Sequence, residues 1–461
     1  MNPVYPHHAC PNCPWNRKPI GGDGPQPCPL LFIGEGPARD EVKVGLPFMG
    51  RAGKEFNLQY LPLAGLVRPE VRVDNATHCP MVNYDNPSHE MARHCSLKHL
   101  PQELRHTQPE LIVLMGGVAC SLADTHIDLD TDHGLPQHNS LLDGLWEGMV
   151  FPTFHPAAGL HEGQMILQLR QDFAGLGQCL KGKLVAPVDD HPAPVCRLLC
   201  GAGEVAAALP SPLDLQVIGP VLEAAIDTES VSLKGAPWCL SFALDYDHGY
   251  VILADDHEGL REFFRWLRVN RVLVILHHSL HDIPVIGAMG GTITRWRDTM
   301  VDAYHLADVP QGLKALGWRL LGVRMKSFED TVLPHSMVPA MEYLAEANVV
   351  LGGALTFHHQ LKSGPRKGQW EERVLPGADK ATVGAWRKVQ KAIREPGADP
   401  WRRWDGWHPH DRELLRGLMG RELPRPSIVH VPLEEAVAYA ALDAVVTLRV
   451  HHKLRKRRIV L

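Results

Sequence analysis

The sequence lacks the features that would place the protein in a membrane or outside the cell. No apolar run approaches the roughly 20 residues that a membrane-spanning helix requires. The N-terminus does not show the basic and then apolar layout of a secretory signal peptide. The chain is not basic either, since 47 Lys and Arg stand against 52 Asp and Glu. We therefore expect a cytoplasmic protein without a membrane partner, which could bind nucleic acid only through local basic patches.

Cysteine is present, but not in the pattern of a disulfide framework. Ten cysteines in a chain of 461 residues without secretion signals favour metal ligands and free thiols. The stretch ACPNCP holds Cys10 and Cys13 at a spacing that can grip a metal. Cys79 follows a predicted strand, and Cys95 lies on the next predicted helix. Four such thiolates can hold zinc or an iron–sulfur cluster, and their spacing leaves both open.

The length and the hydrophobic patterns predict two α/β domains. In residues 1–182, strand-like segments such as LLFIGEGP and PELIVLMGG alternate with helix-like ones, which predicts a mostly parallel sheet with helices on both faces. A Pro- and Ala-rich stretch at 183–213 has no sustained periodicity and predicts a linker. Residues 214–461 begin with a strand and a hairpin pattern and continue as mixed α/β. We see no internal repeat between the halves.

A set of short motifs in the first domain indicates a family. GEGPARDEVKVGLPFMGRAG, residues 34–53, is followed in order by Asn75, two of the cysteines and His155 with a proline after it. With the cysteines, this set resembles the family 4 uracil-DNA glycosylases, the type that carries a 4Fe–4S cluster. The resemblance covers roughly residues 8–180. It implies an iron–sulfur cluster, rather than zinc, on the thiols of Cys10, Cys13, Cys79 and Cys95.

The chemistry of uracil removal gives these residues roles. Cleavage of the bond between uracil and deoxyribose leaves negative charge on the base, which must be extruded, held and recognised. Phe48 can stack on the flipped base. The Asn75 amide can pair with the uracil edge, and one amide orientation rejects cytosine because its donors and acceptors are reversed. His155 can hydrogen-bond the oxyanion that develops on the base.

The turn after the first strand adds backbone N–H groups at Gly34 and Gly36. In the resembling family, Glu35 and Glu41 correspond to acidic pocket residues that order water or its surroundings. Which of the two, if either, is a general base stays open. The sequence also departs from the family, because Ala38 replaces the usual glycine and AAGLHEG follows the His-Pro pair in place of residues that grip DNA.

The second domain carries carboxylates in an order that is specific as a set. AIDTES places Asp227 and Glu229 two residues apart on one face of a strand, and ILHHSLHDIPVI places Asp282 just inside a helix. In AVAYAALDAVVTL, Tyr439 lies one helical turn before Asp443. Four carboxylates can hold two divalent metal ions about 4 Å apart, and such a pair activates water for phosphodiester hydrolysis. Tyr439 would orient that water.

This set resembles the DEDDy 3′–5′ exonucleases, in the version found in the proofreading domain of family A DNA polymerases. The run DTMVDAYHLADVPQGLKALGWRLLG extends the likeness, which covers roughly 218–335 and 430–455. It implies a ribonuclease H-like fold with two Mg²⁺ or Mn²⁺ ions. His278 stands where the family usually has asparagine. Residues 340–428 are predicted to be an insertion, whose basic, Trp-rich segment favours contact with DNA through its cations and a stacking tryptophan.

Together the resemblances predict a DNA-processing enzyme of replication or repair that acts on uracil-containing DNA and on 3′ ends. Glycosylase and proofreading-type modules also occur ahead of some phage family A polymerases. That likeness suggests a bacterial or phage-infected cell and a separate family A-type polymerase as partner. In the alternative, only the exonuclease turns over, and the glycosylase-like domain is a non-catalytic DNA-binding or polymerase-partner module. The intact carboxylate set argues against a third possibility, that both modules are inactive scaffolds.

Overall fold

A computed structural model describes most of the chain as two compact α/β units. The described residues are 19–210, 222–231, 235–306, 310–360, 370–374, 379–394 and 400–458. Unit 1 is built from three parts of the chain, Met1–Pro192, Met300–Met325 and His452–Leu461. Unit 2 is built from Ala193–Thr299 and Lys326–His451. In the described ranges, none of the helices combines the length and the apolar character needed to cross a membrane.

The strands belong to three sheets. In chain order they are β1 (Leu30–Gly34), β2 (Arg72–Asn75), β3 (Leu111–Met115), β4 (Gln137–Leu141), β5 (Trp146–Thr153), β6 (Val195–Leu198), β7 (Glu223–Ser230), β8 (Pro237–Ala243), β9 (His248–Leu253), β10 (Leu273–Leu276), β11 (Trp296–Asp298), β12 (Thr356–Gln360) and β13 (Trp370–Val374).

The helices surround the two larger sheets and form a separate cluster late in the chain. They are α1 (Arg39–Val44), α2 (Arg51–Glu55), α3 (Leu61–Leu63), α4 (His89–Thr107), α5 (Gly117–Cys120), α6 (Leu129–Asp132), α7 (Ala158–His161), α8 (Gly163–Leu180), α9 (Gly201–Ala208), α10 (His257–Val269), α11 (Ser279–Ala288), α12 (Thr299–Leu306), α13 (Leu313–Leu321), α14 (Phe328–Leu355), α15 (Lys380–Arg394), α16 (Pro400–Asp405), α17 (Pro409–Met419) and α18 (Leu433–Arg458).

The sheet of unit 1 has the order β2–β1–β3–β5–β4. All neighbours are parallel except β4, which runs antiparallel to β5. Alternate side chains of β1 enter two apolar clusters, because successive residues of a strand point to opposite faces. Phe32 packs with the aromatic residues of one cluster, and Ile33 packs in the other. The predicted mostly parallel sheet, covered on both faces, is therefore confirmed.

The main sheet of unit 2 has the order β11–β10–β7–β8–β9–β6. Strands β7, β8 and β9 form an antiparallel meander, and β10 and β11 continue parallel to β7. Three antiparallel strands followed by two parallel ones on the side of the first is the ribonuclease H-like arrangement. The predicted hairpin corresponds to β8 and β9. One face of the sheet packs on α10, and the other packs on α18.

Two segments group differently from the predicted domains. The stretch 183–213, predicted to be a linker, contains β6 and α9, and β6 adds to the edge of the second sheet by pairing with β9. A strand of four residues is too short for its alternation to stand out in a Pro- and Ala-rich sequence. Residues Met300–Met325, predicted to belong to the second domain, pack in unit 1 instead. The domain boundaries themselves stay a prediction.

The predicted insertion forms a helical cluster with an apolar core of its own. Trp386, Trp401 and Trp404 are no more than 8% exposed, and they pack with α14 and α17 residues. The indole N–H of Trp386 donates to Asn348 Oδ1 at 2.9 Å, and that of Trp401 donates to the Pro424 carbonyl at 2.7 Å. The expectation that a tryptophan here stacks on DNA bases is therefore wrong for these three, because their rings pack in the core of the helical cluster and the N–H groups of two of them are bonded within it.

Candidate active sites

In unit 1, the carboxyl ends of parallel strands bring three predicted site residues together. Glu35 follows β1, Asn75 ends β2, and His155 lies two residues after β5. Gly34 and Asn75 are direct partners in the register of the two strands. Parallel strands end at the same edge of a sheet, which is where α/β proteins bind ligands. The sheet therefore brings together residues as far apart in sequence as Glu35 and His155.

Glycines allow these side chains to approach one another. A Cβ on Gly34 would lie 2.6 Å from Asn75 Oδ1 and 2.7 Å from Phe48 Cζ. Gly116 follows β3 with a φ of +91°, and a Cβ there would lie 2.3 Å from Glu35 Oε1 and 3.0 Å from His155 Cβ. Only glycine fits these two positions without displacing the polar groups. Gly116 was not among the residues predicted for the site, although the glycine pair that ends PELIVLMGG was its signal.

Glu41 holds the loop that carries Phe48. Its carboxylate accepts the N–H of Ala38 at 2.5 Å on one oxygen and the N–H of Phe48 on the other. Burial raises the pKa of Glu41, and the N–H groups of Ala38, Phe48 and Met49 counteract that rise. Phe48 itself has a left-handed backbone, with a φ of 59°. Its ring is 3% exposed, with centroids 5.1 Å from the ring of Phe56 and 6.0 Å from that of His155, so a base can stack on it only after these neighbours give way. Both oxygens of Glu41 are thus engaged by the loop.

The surroundings of His155 keep its imidazole neutral. Burial lowers the pKa of His155 to about 4. Its Nδ1 accepts the backbone N–H of Ala157 at 3.2 Å, so the ring proton of the neutral form lies on Nε2. The side chain is therefore a neutral N–H donor. Such a donor can stabilise negative charge on an oxygen without transferring a full proton.

Asn75 and Glu35 offer further polar groups at the same strand ends. Asn75 is 6% exposed, and within the described part of the chain its buried Nδ2 has no hydrogen-bond partner. A buried amide without an acceptor costs free energy, which a ligand oxygen would recover. Burial raises the pKa of Glu35, and the N–H of Val118, at 3.4 Å, opposes that rise. Glu35 is thus suited to exchange a proton closer to neutral pH than an exposed glutamate.

In unit 2, three of the predicted carboxylates meet between β7 and α18. One oxygen of each of Asp227, Glu229 and Asp443 lies within 4.8 Å of the others. Asp227 and Glu229 share a strand face with Ala225, which packs against α18. Three carboxylates this close repel one another unless cations offset their charge. Oxygen ligands in this arrangement suit a divalent ion such as Mg²⁺.

The fourth predicted carboxylate lies beside this group, on α11. Asp282 Oδ1 accepts the hydroxyl of Thr228 at 2.7 Å, while its buried Oδ2 has no hydrogen-bond partner among the described residues. Burial raises the pKa of Asp282 to about 7, and the negative charges of Asp298 and Asp443 raise it too. An unsatisfied buried oxygen beside a carboxylate cluster fits a site that a cation completes.

Tyr439 lies one turn before Asp443 on α18. Burial raises the pKa of its phenol, and the negative charges of Asp443, Glu229 and Asp227 raise it further. Tyr439 therefore stays protonated and can donate its O–H. A donor next to the carboxylate group can orient a water molecule, and this role for Tyr439 stays a prediction.

Asp298, whose charge acts on Asp282, was not among the residues predicted for this site. It ends β11, and its carboxylate accepts the N–H of His278 at 3.1 Å and that of Ser279 at 2.7 Å. His278 has a left-handed backbone with a φ of 70°, so Asp298 holds the turn that begins α11. The signal was the aspartate of DTM, which begins the run that extends the likeness to the exonucleases.

Comparisons with known proteins identify the family of the first unit. A model of the uracil DNA glycosylase superfamily matches residues 22–173. The type-4 uracil-DNA glycosylase of Archaeoglobus fulgidus is 30% identical over 175 residues, which cover 37% of this chain and 86% of that protein. That of Thermotoga maritima is 31% identical over 151 residues, which cover 32% of this chain and 75% of that protein. The chain belongs to the uracil-DNA glycosylase superfamily.

Solved structures give weaker likenesses. The catalytic core of RRP6 from Trypanosoma brucei is 13% identical, with a TM-score of 0.25, over 45% of this chain and 54% of that one. Brucella melitensis NrnC with bound Mg²⁺ is 16% identical, with a TM-score of 0.21, over 44% and 83%. Likenesses this slight support no inference. The fold of unit 2 rests on its own strand order.

Two of the four predicted cluster ligands lie within the described part of this glycosylase-superfamily unit. Cys79 follows β2, and Cys95 lies on α4. The N–H of His78, the residue before Cys79, donates to Cys95 Sγ at 3.4 Å, so the two ligand positions are close together. Sulfur that accepts a backbone N–H is a fitting ligand for an iron–sulfur cluster. Cys10 and Cys13 lie outside the described residues.

Proposed function

We propose that the first unit removes uracil from DNA. The observation that carries this proposal is the convergence of the unpartnered Asn75 Nδ2, the neutral His155 Nε2–H and the Phe48 ring at one set of strand ends. A flipped uracil presents a flat face, an O4 acceptor beside an N3–H donor, and an O2 that becomes negative. Each of these has a matching group in the site. Membership in the glycosylase superfamily supports the same activity.

In this mechanism, Phe48 holds the base and Asn75 recognises it. The Asn75 Nδ2 donates to O4 of uracil, and its Oδ1 accepts from N3–H. Cytosine has an amino donor and an unprotonated nitrogen at these positions, so it would face donor against donor. Asn75 therefore selects uracil over cytosine, while Phe48 stacks on either. Glu41 acts as a positioning residue, because its carboxylate fixes the backbone of the Phe48 loop.

His155 and Glu35 act on the bond that breaks. The C1′–N1 bond cleaves, its electron pair passes to the base, and His155 Nε2–H stabilises the negative O2. Water then bonds to C1′ of the oxocarbenium-like sugar. Glu35, whose pKa is raised by burial, accepts the proton that this water loses. The uracil anion leaves and is protonated by solvent.

We propose that Cys10, Cys13, Cys79 and Cys95 hold a 4Fe–4S cluster. When bound, the cluster acts as a structural cross-link between the N-terminal segment and the sheet. The donor chemistry, all thiols, also fits zinc. A brown protein with about four irons per chain supports the cluster, whereas a colourless protein with one zinc contradicts it.

We propose that the second unit is a 3′–5′ exonuclease of the DEDDy type. Asp227, Glu229, Asp282 and Asp443 would hold two Mg²⁺ or Mn²⁺ ions, which would supply Lewis-acid chemistry for phosphodiester hydrolysis. The Tyr439 O–H orients the attacking water toward the terminal phosphodiester. The ribonuclease H-like strand order supports this assignment, because it places β7 next to β10 and so brings Asp227 near α11.

The fusion of these two activities in one chain would process uracil-containing DNA and 3′ ends together. A separate family A-type polymerase is the partner that this combination suggests. In the alternative function, the first unit binds DNA without catalysis. Ala38, in place of the usual glycine beside the base, is the observation that favours the alternative.

One gel separates these functions. The purified protein is incubated with an end-labelled oligonucleotide that contains a single uracil, once in EDTA and once in Mg²⁺ or Mn²⁺. We expect an alkali-sensitive break at the uracil in EDTA and a ladder from the 3′ end only with metal. Asn75→Asp should abolish the break and keep the ladder, and Asp443→Asn should do the reverse. If the wild type shows only the ladder, the non-catalytic alternative holds for the first unit.

A further inference from the structure

A buried carboxylate on helix α8 holds the end of strand β5. Asp172 is 2% exposed, and its Oδ2 accepts the hydroxyl of Thr153, the last residue of β5, at 2.7 Å. Its Oδ1 lies 2.8 Å from Nδ1 of His133, whose side chain is buried as well. An ionised carboxylate can only accept hydrogen bonds, so this imidazole nitrogen is the donor. We call Thr153, Asp172 and His133 the β5 anchor.

The segment that carries His133 makes two further contacts with the same strand end. The centroid of the His133 ring lies 4.7 Å from that of Phe154, the residue after Thr153. The N–H of Gly134 donates to the Pro152 carbonyl at 2.8 Å. Three consecutive residues at the end of β5 are thus each held by a separate contact.

The β5 anchor lies next to a residue of the uracil site. His155 follows two residues after Thr153, between the end of β5 and the start of α7. The Thr153 carbonyl accepts the N–H of Gly116 at 2.8 Å, and Gly116 is the glycine that makes room for Glu35 and His155. A donor stabilises an oxyanion only from about 2.7–3.1 Å away. The placement of the His155 Nε2–H therefore depends on how firmly the end of β5 is held.

Apolar packing would attach α8 to β5 at less cost than a buried carboxylate. Removal of a carboxylate from water costs free energy that an apolar contact does not. Hydrogen bonds, however, fix an angle as well as a distance. Val150 and Phe151, earlier in β5, are held by the two apolar clusters of the unit. The carboxylate occurs only where the strand passes into the loop of the site, which is where direction matters most.

We propose that the β5 anchor positions His155, so that its Nε2–H points at O2 of the flipped uracil. Asp172, Thr153 and His133 are positioning residues, which act through His155 rather than on the base. This inference rests on the proposed release of uracil by the first unit. Without the anchor, the same donor is present but is displaced from its line to the oxyanion. The chemical step then slows, while binding of DNA is unchanged.

Removal of the Thr153 hydroxyl is the sharpest test, because Asp172→Ala would also leave a cavity and an imidazole without its acceptor. Thr153→Val keeps the shape of the side chain and removes only its hydrogen bond. We expect the single-turnover rate of uracil release in EDTA to fall by roughly 10- to 100-fold, since a misplacement of about 1 Å costs about 100-fold. The Kd for an uncleavable 2′-fluorodeoxyuridine oligonucleotide should stay the same, because the lost interaction acts in the transition state.

Two control variants accompany Thr153→Val. Thr153→Ser keeps the hydroxyl and should restore most of the rate. Thr131→Val should be close to the wild type, because the Thr131 hydroxyl donates to Asp128 at 3.1 Å on the exposed surface of the same unit. Urea unfolding and the metal-dependent degradation of single-stranded dT20 show that each variant is folded. An unchanged rate in Thr153→Val, or an equal loss in Thr153→Ser, contradicts the inference.

A double-variant cycle shows whether the β5 anchor acts through His155. His155→Ala removes the donor, which should cost about 100- to 1000-fold, the usual loss for one oxyanion donor. In that background, Thr153→Val should have almost no further effect, because there is no longer a donor to position. A further loss as large as that of Thr153→Val alone would mean that the anchor supports the unit in general, and it would overturn the inference.

The remaining outcomes separate this inference from the proposed function. If the wild type releases no uracil, the glycosylase proposal fails, and the imidazole ¹⁵N resonances of His155 then decide on the anchor. These resonances are identified by their loss in His155→Asn. A change of their shifts in Thr153→Val, but not in Thr153→Ser, supports the anchor. Unchanged shifts in both variants refute it.

Discussion

At the scale of single residues, burial and one backbone contact decide what His155 can do. An exposed histidine is partly protonated near neutral pH, and either ring nitrogen can carry the proton of its neutral form. Here burial lowers the pKa to about 4, and the N–H of Ala157 occupies Nδ1. The sequence could name this histidine from its place before a proline. Its protonation state follows only from the packing around it.

The pH profile of uracil release should reflect this state. The pKa of His155 is depressed, so the neutral donor is present above about pH 4 and is lost only as the pH falls through that value. We expect single-turnover uracil release in EDTA to show no step between pH 5.5 and 8 from this group. A histidine with an ordinary pKa would give a step near 6.5. A step there that disappears in His155→Asn would contradict the prediction.

At the scale of elements, the ends of strands and the glycines beside them shape the first site. The end of β1 is close to Asn75 and Phe48 because Gly34 has no side chain. The motif at residues 34–53 could be recognised in the sequence. The need for glycine at its first position, however, comes from the close approach of the β2 end and the Phe48 loop, which only the structure shows. Glycine is needed at position 53 for a similar reason, since a Cβ there would lie 1.8 Å from the Phe48 carbonyl oxygen.

Gly34→Ala should therefore close the first site without affecting the second. The added methyl would collide with the Asn75 amide and the Phe48 ring, which must move from the positions that hold the base. We expect uracil release in EDTA to fall by at least 100-fold, while metal-dependent degradation of dT20 stays within twofold of the wild type. Gly50→Ser is a control for loss of a glycine nearby, since Gly50 has a φ of −79° and a Cβ there has no neighbour within 4 Å. If Gly34→Ala still releases uracil at the rate of the wild type, the prediction is wrong.

At the scale of the molecule, unit 1 depends on chain that comes nearly 200 residues after its core. Arg324 Nη1 lies 3.0 Å from Asp132 Oδ1, and Arg324 Nη2 donates to Gln137 Oε1 at 2.7 Å. The Asp132 carboxylate is fully buried, and the Arg324 guanidinium lies 3.9 Å over the ring of Trp318. Arg319 also donates to the carbonyl of His133. These contacts place Met300–Met325 in the first unit despite its position in the chain.

Arg324→Met should destabilise unit 1 more at pH 8 than at pH 5. Burial already raises the pKa of Asp132, and Arg324 opposes that rise, so its loss raises this pKa further. An aspartate with a raised folded pKa costs stability when the pH is high enough to ionise it. We expect the free energy of unfolding to fall by about 2 kcal/mol at pH 8 and by less at pH 5. The value at pH 8 lies between those typical for the loss of an exposed ion pair and of a fully buried one.

Urea unfolding at the two pH values measures this difference. Adding Asp132→Asn to Arg324→Met removes the buried charge, so the double variant should lose the pH dependence that the single variant gains. Arg324→Lys keeps a cation and should lie between Arg324→Met and the wild type. A loss of the same size at pH 5 and pH 8 in Arg324→Met would mean that packing on Trp318, rather than charge, is responsible.

The sequence alone determined the elements whose signals are local. The alternation of strands and helices gave the parallel sheet of unit 1, and the hairpin pattern gave β8 and β9, because periodicity and turn residues act within about ten residues. Ordered motifs were enough to nominate Asn75, His155 and the carboxylates of β7 and α18. The expectation for the basic segment failed for Trp386, Trp401 and Trp404, because composition does not tell a core tryptophan from an exposed one.

Only the tertiary structure decided which groups meet and in what state. It brought Asp227, Glu229 and Asp443 within 4.8 Å of one another and left Asp282 beside Thr228. It committed both oxygens of Glu41 to backbone N–H groups, a use that a sequence cannot distinguish from catalysis. Within the predicted linker at 183–213, the structure forms strand β6, which pairs with β9. It also places residues 300–325 in unit 1 rather than in the second domain. Burial and contacts between distant residues set these outcomes, and neither is a property of a short stretch of sequence.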